Sequence, residues 1–286
     1  MTKLNISVVI PAKNEARNLE KLLPQIKTEL PDAEVLVIND GSEDDTAAVA
    51  ERFEVSCINH EFSMGNGAAV KTGARAAKGE VIVFMDGDGQ HDPRQIGLLL
   101  EKIDLGADLV VGARHSGGQA NIGRSLANKF YNWFASLITG FKIQDLTSGF
   151  RAVNANKFRQ FLDLLPNGFS YPTTSTMAFL RSGYKVKFVP IEVAKREGKS
   201  HIRPIRDGIR FLLIIFKVAT LYSPLKVFVP LAAICFALGL SRYGYTYWYS
   251  GTFTNMSALL MVAAVQIFLI GLVSEQITSL IYKDLD

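Results

Sequence analysis

Val81-Ile82-Val83-Phe84-Met85, followed at once by Asp86-Gly87-Asp88-Gly89-Gln90-His91, is the stretch on which the reading of the fold turns. Five apolar residues rich in β-branched side chains, ending in a Gly-rich polar loop, read as a strand buried on both faces, and hence as part of a parallel sheet. Two carboxylates at i and i+2 directly after it present oxygens to one point in space. A hard divalent cation bound there keeps positions open for substrate phosphates. The intervening glycines let the backbone turn tightly and let a phosphate or sugar approach closely. A calcium loop of the EF-hand type needs further oxygen ligands at odd positions and a distal Glu, and Gln90-His91-Asp92-Pro93 does not supply them. The plain alternative is a solvated Asp-Gly turn.

Working outward, Ile6–Ile10, Val35–Ile38 and Leu109–Val111 repeat the buried-strand pattern. Leu19, Leu22, Leu23 and Ile26, and again Ile96, Leu99, Leu100 and Ile103, recur at helical spacing, while Asp44-Asp45-Thr46 offers acidic residues for a helix start. Alternating strands and helices imply a doubly wound α/β sheet, in which ligands bind beyond the carboxyl ends of the strands. The polar residues just after those runs are therefore the candidates: Asn14, Glu15, Asp40, Asp86 to His91, and Arg114. Gly65-Asn66-Gly67 lacks the third glycine and the downstream acidic residue of a dinucleotide fingerprint, and reads as a helix start packed against the sheet. His60, His91 and His115 lack metal-ligand spacing and read as polar loop residues.

Of the 286 residues, 48% are apolar and 20% charged, which excludes a disordered chain. Cys57 and Cys235 lie far apart, so a disulfide framework is excluded, and neither has a zinc-site partner. A net charge of +4 does not call for nucleic acid. Met1–Ile10 is too short for a signal peptide, so a cytoplasmic start is expected. Between Lys195 and Lys226, eight basic residues face only Glu197 and Asp207. Two long apolar stretches follow, expected as transmembrane helices over about 224–248 and 257–281, with a Tyr/Trp cluster at Tyr243–Tyr249 placed as an interfacial belt. The basic side sets both termini in the cytoplasm. Residues 202–222 mix Arg203, Arg206, Arg210 and Lys217 with Phe211–Phe216, the pattern of an amphipathic helix on the inner leaflet or of a linker helix packed on the soluble part. The division is thus 1–201 soluble, 202–222 juxtamembrane and 223–286 membrane.

Val8–Glu15, Val37–Ser42 and the Asp86-Gly87-Asp88 motif, in that order, resemble the motifs of family 2 glycosyltransferases with the GT-A fold. Gly112–His115, Asp145–Arg151 and Arg196–His201 resemble the dolichyl-phosphate mannose synthase-like branch, as do the two C-terminal spans. The resemblance implies a metal-dependent, inverting transfer of a sugar from a nucleotide-sugar donor to a polyprenyl phosphate at the cytoplasmic membrane face. It implies that Pro11, Lys13 and Glu15 border base and ribose, that Ile38 and Asp40 hold the base, and that Gly87 lies against the donor. It further implies that Asp86, Asp88 and Gln90 surround Mg²⁺ or Mn²⁺ on the diphosphate. Arg114 and Arg124 would then face the acceptor phosphate, with Arg151 supporting them, and Arg196 and Lys199 would close over the diphosphate. The chain departs from the family at Asn39, where Asp is usual, and in the register of the basic loop, which leaves the roles of Lys195 or Arg196, and of Lys199 or His201, open.

That chemistry suits these residues. A phosphate monoester is largely dianionic at neutral pH and needs no strong base. What it needs is help approaching an anionic diphosphate, and guanidinium groups bind phosphate oxygens bidentately and stay charged. Two further readings are a glycosyltransferase acting on another lipid or glycan hydroxyl, and a non-catalytic membrane scaffold of a glycan-assembly system. Retention of both Asp86 and Asp88 speaks against the scaffold. Membrane lipid is an expected partner, nucleic acid is not, and a homo-oligomer is compatible with the pattern.

Overall fold

The computed structural model describes residues 4–114, 122–168, 170–194 and 222–283, with 213, 216 and 220, and for 122–128 it describes the backbone alone. The described residues group into two compact units. One takes the chain up to Ser136 and again from Phe141 through the last strand; the other takes Leu137–Gly140 and the two long C-terminal helices.

In the first unit the order is β1 (Ile6–Ala12), α1 (Ala16–Glu29), β2 (Glu34–Asp40), α2 (Thr46–Arg52), β3 (Ser56–His60), α3 (Asn66–Ala76) and β4 (Val81–Phe84). There follow α4 (Ile96–Asp104), β5 (Leu109–Arg114), α5 (Ile122–Thr139, whose last turn belongs to the second unit), β6 (Arg151–Asn154), α6 (Ala155–Arg159), α7 (Tyr171–Arg181) and β7 (Val186–Ile191). The strands form one sheet in the order β3-β2-β1-β4-β6-β5-β7, parallel throughout except β6, which runs antiparallel to both neighbours. The doubly wound, mostly parallel sheet read from the sequence is present. Side chains alternate across it with period 2. Val8, Ile10, Val37 and Val83 join Leu19, Leu23 and Ile26 of α1 in one fully buried layer. On the other face α3 lies so close that a Cβ on Gly73 would sit 2.2 Å from Val9 Cγ1, and Phe84 packs on Phe158 at 4.9 Å between centroids. Each such aliphatic side chain contributes about 1.5–3 kcal/mol on full burial, so the central strands are the most firmly held part of the unit.

The second unit holds two long helices, Leu225–Ser250 and Asn255–Lys283. At 1.5 Å per residue they extend about 39 and 43 Å, enough to cross a hydrocarbon core of about 30 Å. Their large apolar side chains are mostly exposed. The buried positions are small and spaced by seven: Ala232, Gly239 and Thr246 on one helix, Ser257, Ala264, Gly271 and Thr278 on the other. Small residues let helix backbones approach closely where lipid offers no hydrophobic drive. Gly251, with φ +62°, ends the first helix in a left-handed cap. The Glu275 carboxylate accepts from Leu225 N at 3.2 Å and so satisfies an otherwise orphan donor at the first helix's start. The amphipathic segment expected over 202–222 lies outside the described residues apart from isolated positions.

Candidate active site

The carboxyl ends of β1, β2 and β4 open onto a cleft of about 560 Å³. Pro11, Lys13 and Glu15 line one side, Asp40, Ser63, Gly65 and Asn66 another, and Asp86, Gly87, Asp88 and Gln90 the third. The β1 side is zipped to the loop after β2. Asn14, in the left-handed region at φ +57°, donates from its N to Ser42 Oγ at 2.9 Å and accepts from Glu43 N at 2.8 Å. Glu15 N donates to Thr46 Oγ1 at 3.1 Å and Ala16 N to Asp44 Oδ2 at 3.1 Å. Asp44 thus caps α1 from a neighbouring loop, which fixes where Lys13 and Glu15 emerge.

Asp40 is 4% exposed and accepts four hydrogen bonds. Its Oδ1 takes His60 Nδ1 and Met64 N, both at 2.8 Å, and its Oδ2 takes Ser63 Oγ at 2.8 Å and Gly65 N at 2.9 Å. Burial pushes its carboxyl up, but the bonds from His60, Met64, Ser63 and Gly65 outweigh it and hold the group below the usual carboxylate range. His60 passes on to Thr72 Oγ1 of α3 at 3.0 Å. Asp40 therefore organises the 60–65 loop with all of its roughly four acceptor sites.

The ladder between β1 and β4 continues past the strand ends through Met85 N to Val9 O and Gly87 N to Pro11 O. Asp86 consequently sits at the sheet's edge. Gly149 backs directly onto its carboxylate: a Cβ there would lie 2.6 Å from Oδ2 and 3.1 Å from Oδ1. His91 Nε2 stands 4.0 Å from Asp86 Oδ2, with its ring stacked on Phe150 at 5.0 Å. Burial, opposed by Asp88, pushes the His91 imidazole down to about 4, so it is neutral at ordinary pH. The loop after Gly89 is also tied to the strand β7 exit: Ala194 N donates to Gln90 O at 3.0 Å, and the Gln95 amide exchanges two 2.9 Å bonds with Glu192 backbone.

Arg114 makes a bidentate pair with Asp145, Nε to Oδ2 at 2.7 Å and Nη2 to Oδ1 at 3.0 Å, and reaches Thr147 Oγ1 at 2.6 Å. Burial raises the Asp145 carboxyl, but Arg114 holds it below the usual range; burial works against Arg114's charge, and Asp145 more than restores it. The Arg114 side chain keeps 30% of its surface exposed.

Several expectations need correction. Arg151, expected to support an acceptor clamp, is completely buried. It spends its guanidinium on Ser148 O, Pro172 O (3.0 Å) and Ser175 Oγ (2.8 Å), so it braces α7 against the 145–151 segment and touches no ligand space. Ile38, expected at the base, is fully buried beneath α3, where a Cβ on Gly73 would meet it at 3.2 Å. His60, at the end of β3, and His91, in the loop after β4, both have buried side chains that belong to the site framework. Arg196, Lys199, Lys195, His201 and His115 lie outside the described residues, as does the Arg124 side chain. Gly149 is the neighbour the sequence reading passed over; its only signal was its place in the Asp145–Arg151 motif.

The donor set at Asp86, Asp88 and Gln90 is all oxygen, the chemistry that suits Mg²⁺ or Mn²⁺. Among the described residues no group of three or more His, Cys, Asp and Glu side chains could hold a metal ion.

Residues 7–163 match the profile of glycosyl transferase family 2, and residues 223–280 that of the GtrB C-terminal hairpin. The chain is 31% identical over 208 residues to the undecaprenyl-phosphate mannosyltransferase of Micrococcus luteus, covering 68% of this chain and 85% of that protein. It is 29% identical to the undecaprenyl-phosphate 4-deoxy-4-formamido-L-arabinose transferase of Klebsiella pneumoniae, across 98% of this chain and 89% of the other. Among solved structures, glucosyl-3-phosphoglycerate synthase from Mycobacterium tuberculosis, in complex with Mn²⁺, uridine diphosphate and glucosyl-3-phosphoglycerate, superposes with a TM-score of 0.60 over 76% of this chain and 80% of that one. The same enzyme was solved with Mg²⁺ and uridine diphosphate. At 21% identity that likeness shows the fold.

Proposed function

The chain belongs to glycosyl transferase family 2, and from that premise we propose that it transfers a sugar from a nucleotide-sugar donor to a polyprenyl phosphate, with inversion, in the presence of Mg²⁺ or Mn²⁺, at the cytoplasmic face of a membrane. The observation that carries the reading is the convergence of Asp86, Asp88 and Gln90 with Lys13 and Glu15 on one cleft at the carboxyl edge of the sheet. A donor laid across that edge has its nucleoside against Pro11, Lys13 and Glu15 and its diphosphate at the two aspartates. A divalent ion held there supplies charge neutralisation of the diphosphate.

The reaction breaks the bond between the anomeric carbon and the donor phosphate oxygen, whose electron pair leaves with the nucleoside diphosphate. A lipid phosphate oxygen forms the new bond from the opposite face. That nucleophile is already anionic, so the protein's task is to hold two anions together. Arg114, paired with Asp145 and still partly exposed, is proposed to meet the acceptor phosphate together with Arg124, Arg196 and Lys199. Relatives whose names specify undecaprenyl phosphate and the two long apolar helices support a lipid acceptor and a membrane location.

The test is the full-length Asp88→Ala variant, assayed by extraction of labelled sugar into organic solvent. Transfer is expected to vanish while the thermal transition and membrane association stay unchanged. Full activity in that variant overturns the proposal.

A further inference from the structure

The segment between α5 and β6 carries two residues on which the site depends: Asp145, which holds Arg114, and Gly149, which backs Asp86. Its two ends have different main anchors. Near Gly149, Arg151 reaches back to Ser148 O and on to Pro172 O and Ser175 Oγ of α7, and Tyr171 OH donates to Gly149 O at 3.4 Å. Near Asp145 the anchor is α5. Asn132 Nδ2 donates to Gln144 O at 2.7 Å, and Asn132 Oδ1 accepts from Leu146 N at 3.1 Å. One amide thus grips the backbone on both sides of Asp145. One turn further along α5, Ser136 Oγ accepts from Ile143 N at 3.0 Å. Thr173 Oγ1 of α7 adds a longer bond to Leu146 O at 3.4 Å.

The grip matters because of what Asp145 does. Its carboxylate accepts from Arg114 N, Nε and Nη2 at 3.2, 2.7 and 3.0 Å, and Thr147 Oγ1, two residues on, accepts from the same guanidinium at 2.6 Å. A bidentate pair carries geometric specificity as well as energy. The direction of the Arg114 guanidinium is therefore set by the backbone over 144–147, and Asn132 is the side chain that pins that backbone from both sides.

We propose that Asn132 is a positioning residue for the acceptor: by fixing the backbone on either side of Asp145 it aims Arg114 at the acceptor phosphate. The proposal rests on the acceptor role given to Arg114 above, and its test separates the two. Full-length protein is assayed with labelled nucleotide sugar and polyprenyl phosphate, and kinetic constants are measured for each substrate. Asn132→Leu keeps the size of the side chain and removes both bonds. A misplacement of about 1 Å costs about 100-fold. A loss of about 10- to 100-fold in kcat/KM for the polyprenyl phosphate is therefore expected. The donor KM stays at the wild-type value, because Gly149 and Asp86 keep their own anchor on α7. Ser136→Ala shows the same split more weakly, and decides the matter if Asn132→Leu does not fold. Arg114→Lys is the companion variant. It also lowers kcat/KM for the polyprenyl phosphate, and adding Asn132→Leu lowers it no further, since residues acting through one group are not additive. A donor KM that rises as far as the acceptor KM, an unchanged kcat/KM for the polyprenyl phosphate, or additive losses in the double variant each overturn the proposal and leave the role of Arg114 standing. Wild-type acceptor kinetics in Arg114→Lys, or no transfer to polyprenyl phosphate by the wild-type protein, overturn the acceptor reading and the proposal with it.

Discussion

Gly149→Ala is expected to disable the cleft without replacing any residue proposed to contact substrate. The added Cβ would lie 2.6 Å from Asp86 Oδ2, whereas ordinary contact begins at 3.4 Å, so carboxylate or backbone must retreat by about 0.8 Å. The backbone has little room to give, because Ser148 and Phe150 on either side are 1% and 0% exposed. The carboxylate moves instead. Oxygen ligands sit about 2.0–2.1 Å from Mg²⁺, and a displacement of about 1 Å in a reacting assembly costs about 100-fold in rate. A loss of roughly 10- to 100-fold in transfer at saturating donor is therefore expected, with about 1–3 kcal/mol of destabilisation from overpacking. Mn²⁺ affinity in the presence of nucleoside diphosphate, read by electron paramagnetic resonance, falls in parallel. Gly97→Ala is the control, since a Cβ there meets nothing within 4 Å. Wild-type Mn²⁺ affinity and wild-type rate in Gly149→Ala contradict this role for the Asp86 carboxylate, which is then either free to relocate or not a ligand.

Asp40→Asn replaces an acceptor of four bonds with a group that must donate from one side; each buried donor left unpaired costs about 1–3 kcal/mol, measurable by urea denaturation. Because the folded carboxyl titrates below its ordinary value, its stabilisation is complete above pH about 3.9 and is lost as pH falls through the folded value; the variant's stability should be flatter across that acid range. Arg114→Ala strands Asp145, 8% exposed, and should lower stability by about 3 kcal/mol as well as transfer, whereas unchanged thermal unfolding counts against the pair. Gly271→Val forces a side chain toward Phe228, whose Cβ lies 2.6 Å from a Cβ at 271; the hairpin should melt earlier in detergent while donor binding by the first unit is retained.

The strands that carry the site were legible because they are central, parallel and buried on both faces, which leaves an unbroken Val/Ile run. β3, β6 and β7 were not read. Ser56–His60 and Val186–Ile191 are edge strands with polar or alternating residues, and Arg151–Asn154 has four residues beginning with a buried arginine. Asp86 and Asp88 stand out by local spacing alone, and both line the cleft. What spacing does not show is the occupancy of a side chain. Asp40 ends a strand, as a ligand-binding residue would, yet its oxygens are taken by His60, Ser63, Met64 and Gly65, three of them more than twenty residues away along a different loop. Ile38 lies two positions inward on the same face, under α3, a depth that depends on how close Gly73 allows that helix to come. Arg151 likewise reads from the sequence as a support for the acceptor side, and spacing does not show that its whole side chain is buried against α7.

The proposed nucleophile is a phosphate and not a hydroxyl. Purified full-length protein, a labelled nucleotide sugar, Mg²⁺ or Mn²⁺, and either a polyprenyl phosphate or the corresponding unphosphorylated polyprenol form the direct comparison. Organic-phase label with the phosphate and none with the alcohol is the predicted result; transfer to the alcohol at a comparable rate contradicts it.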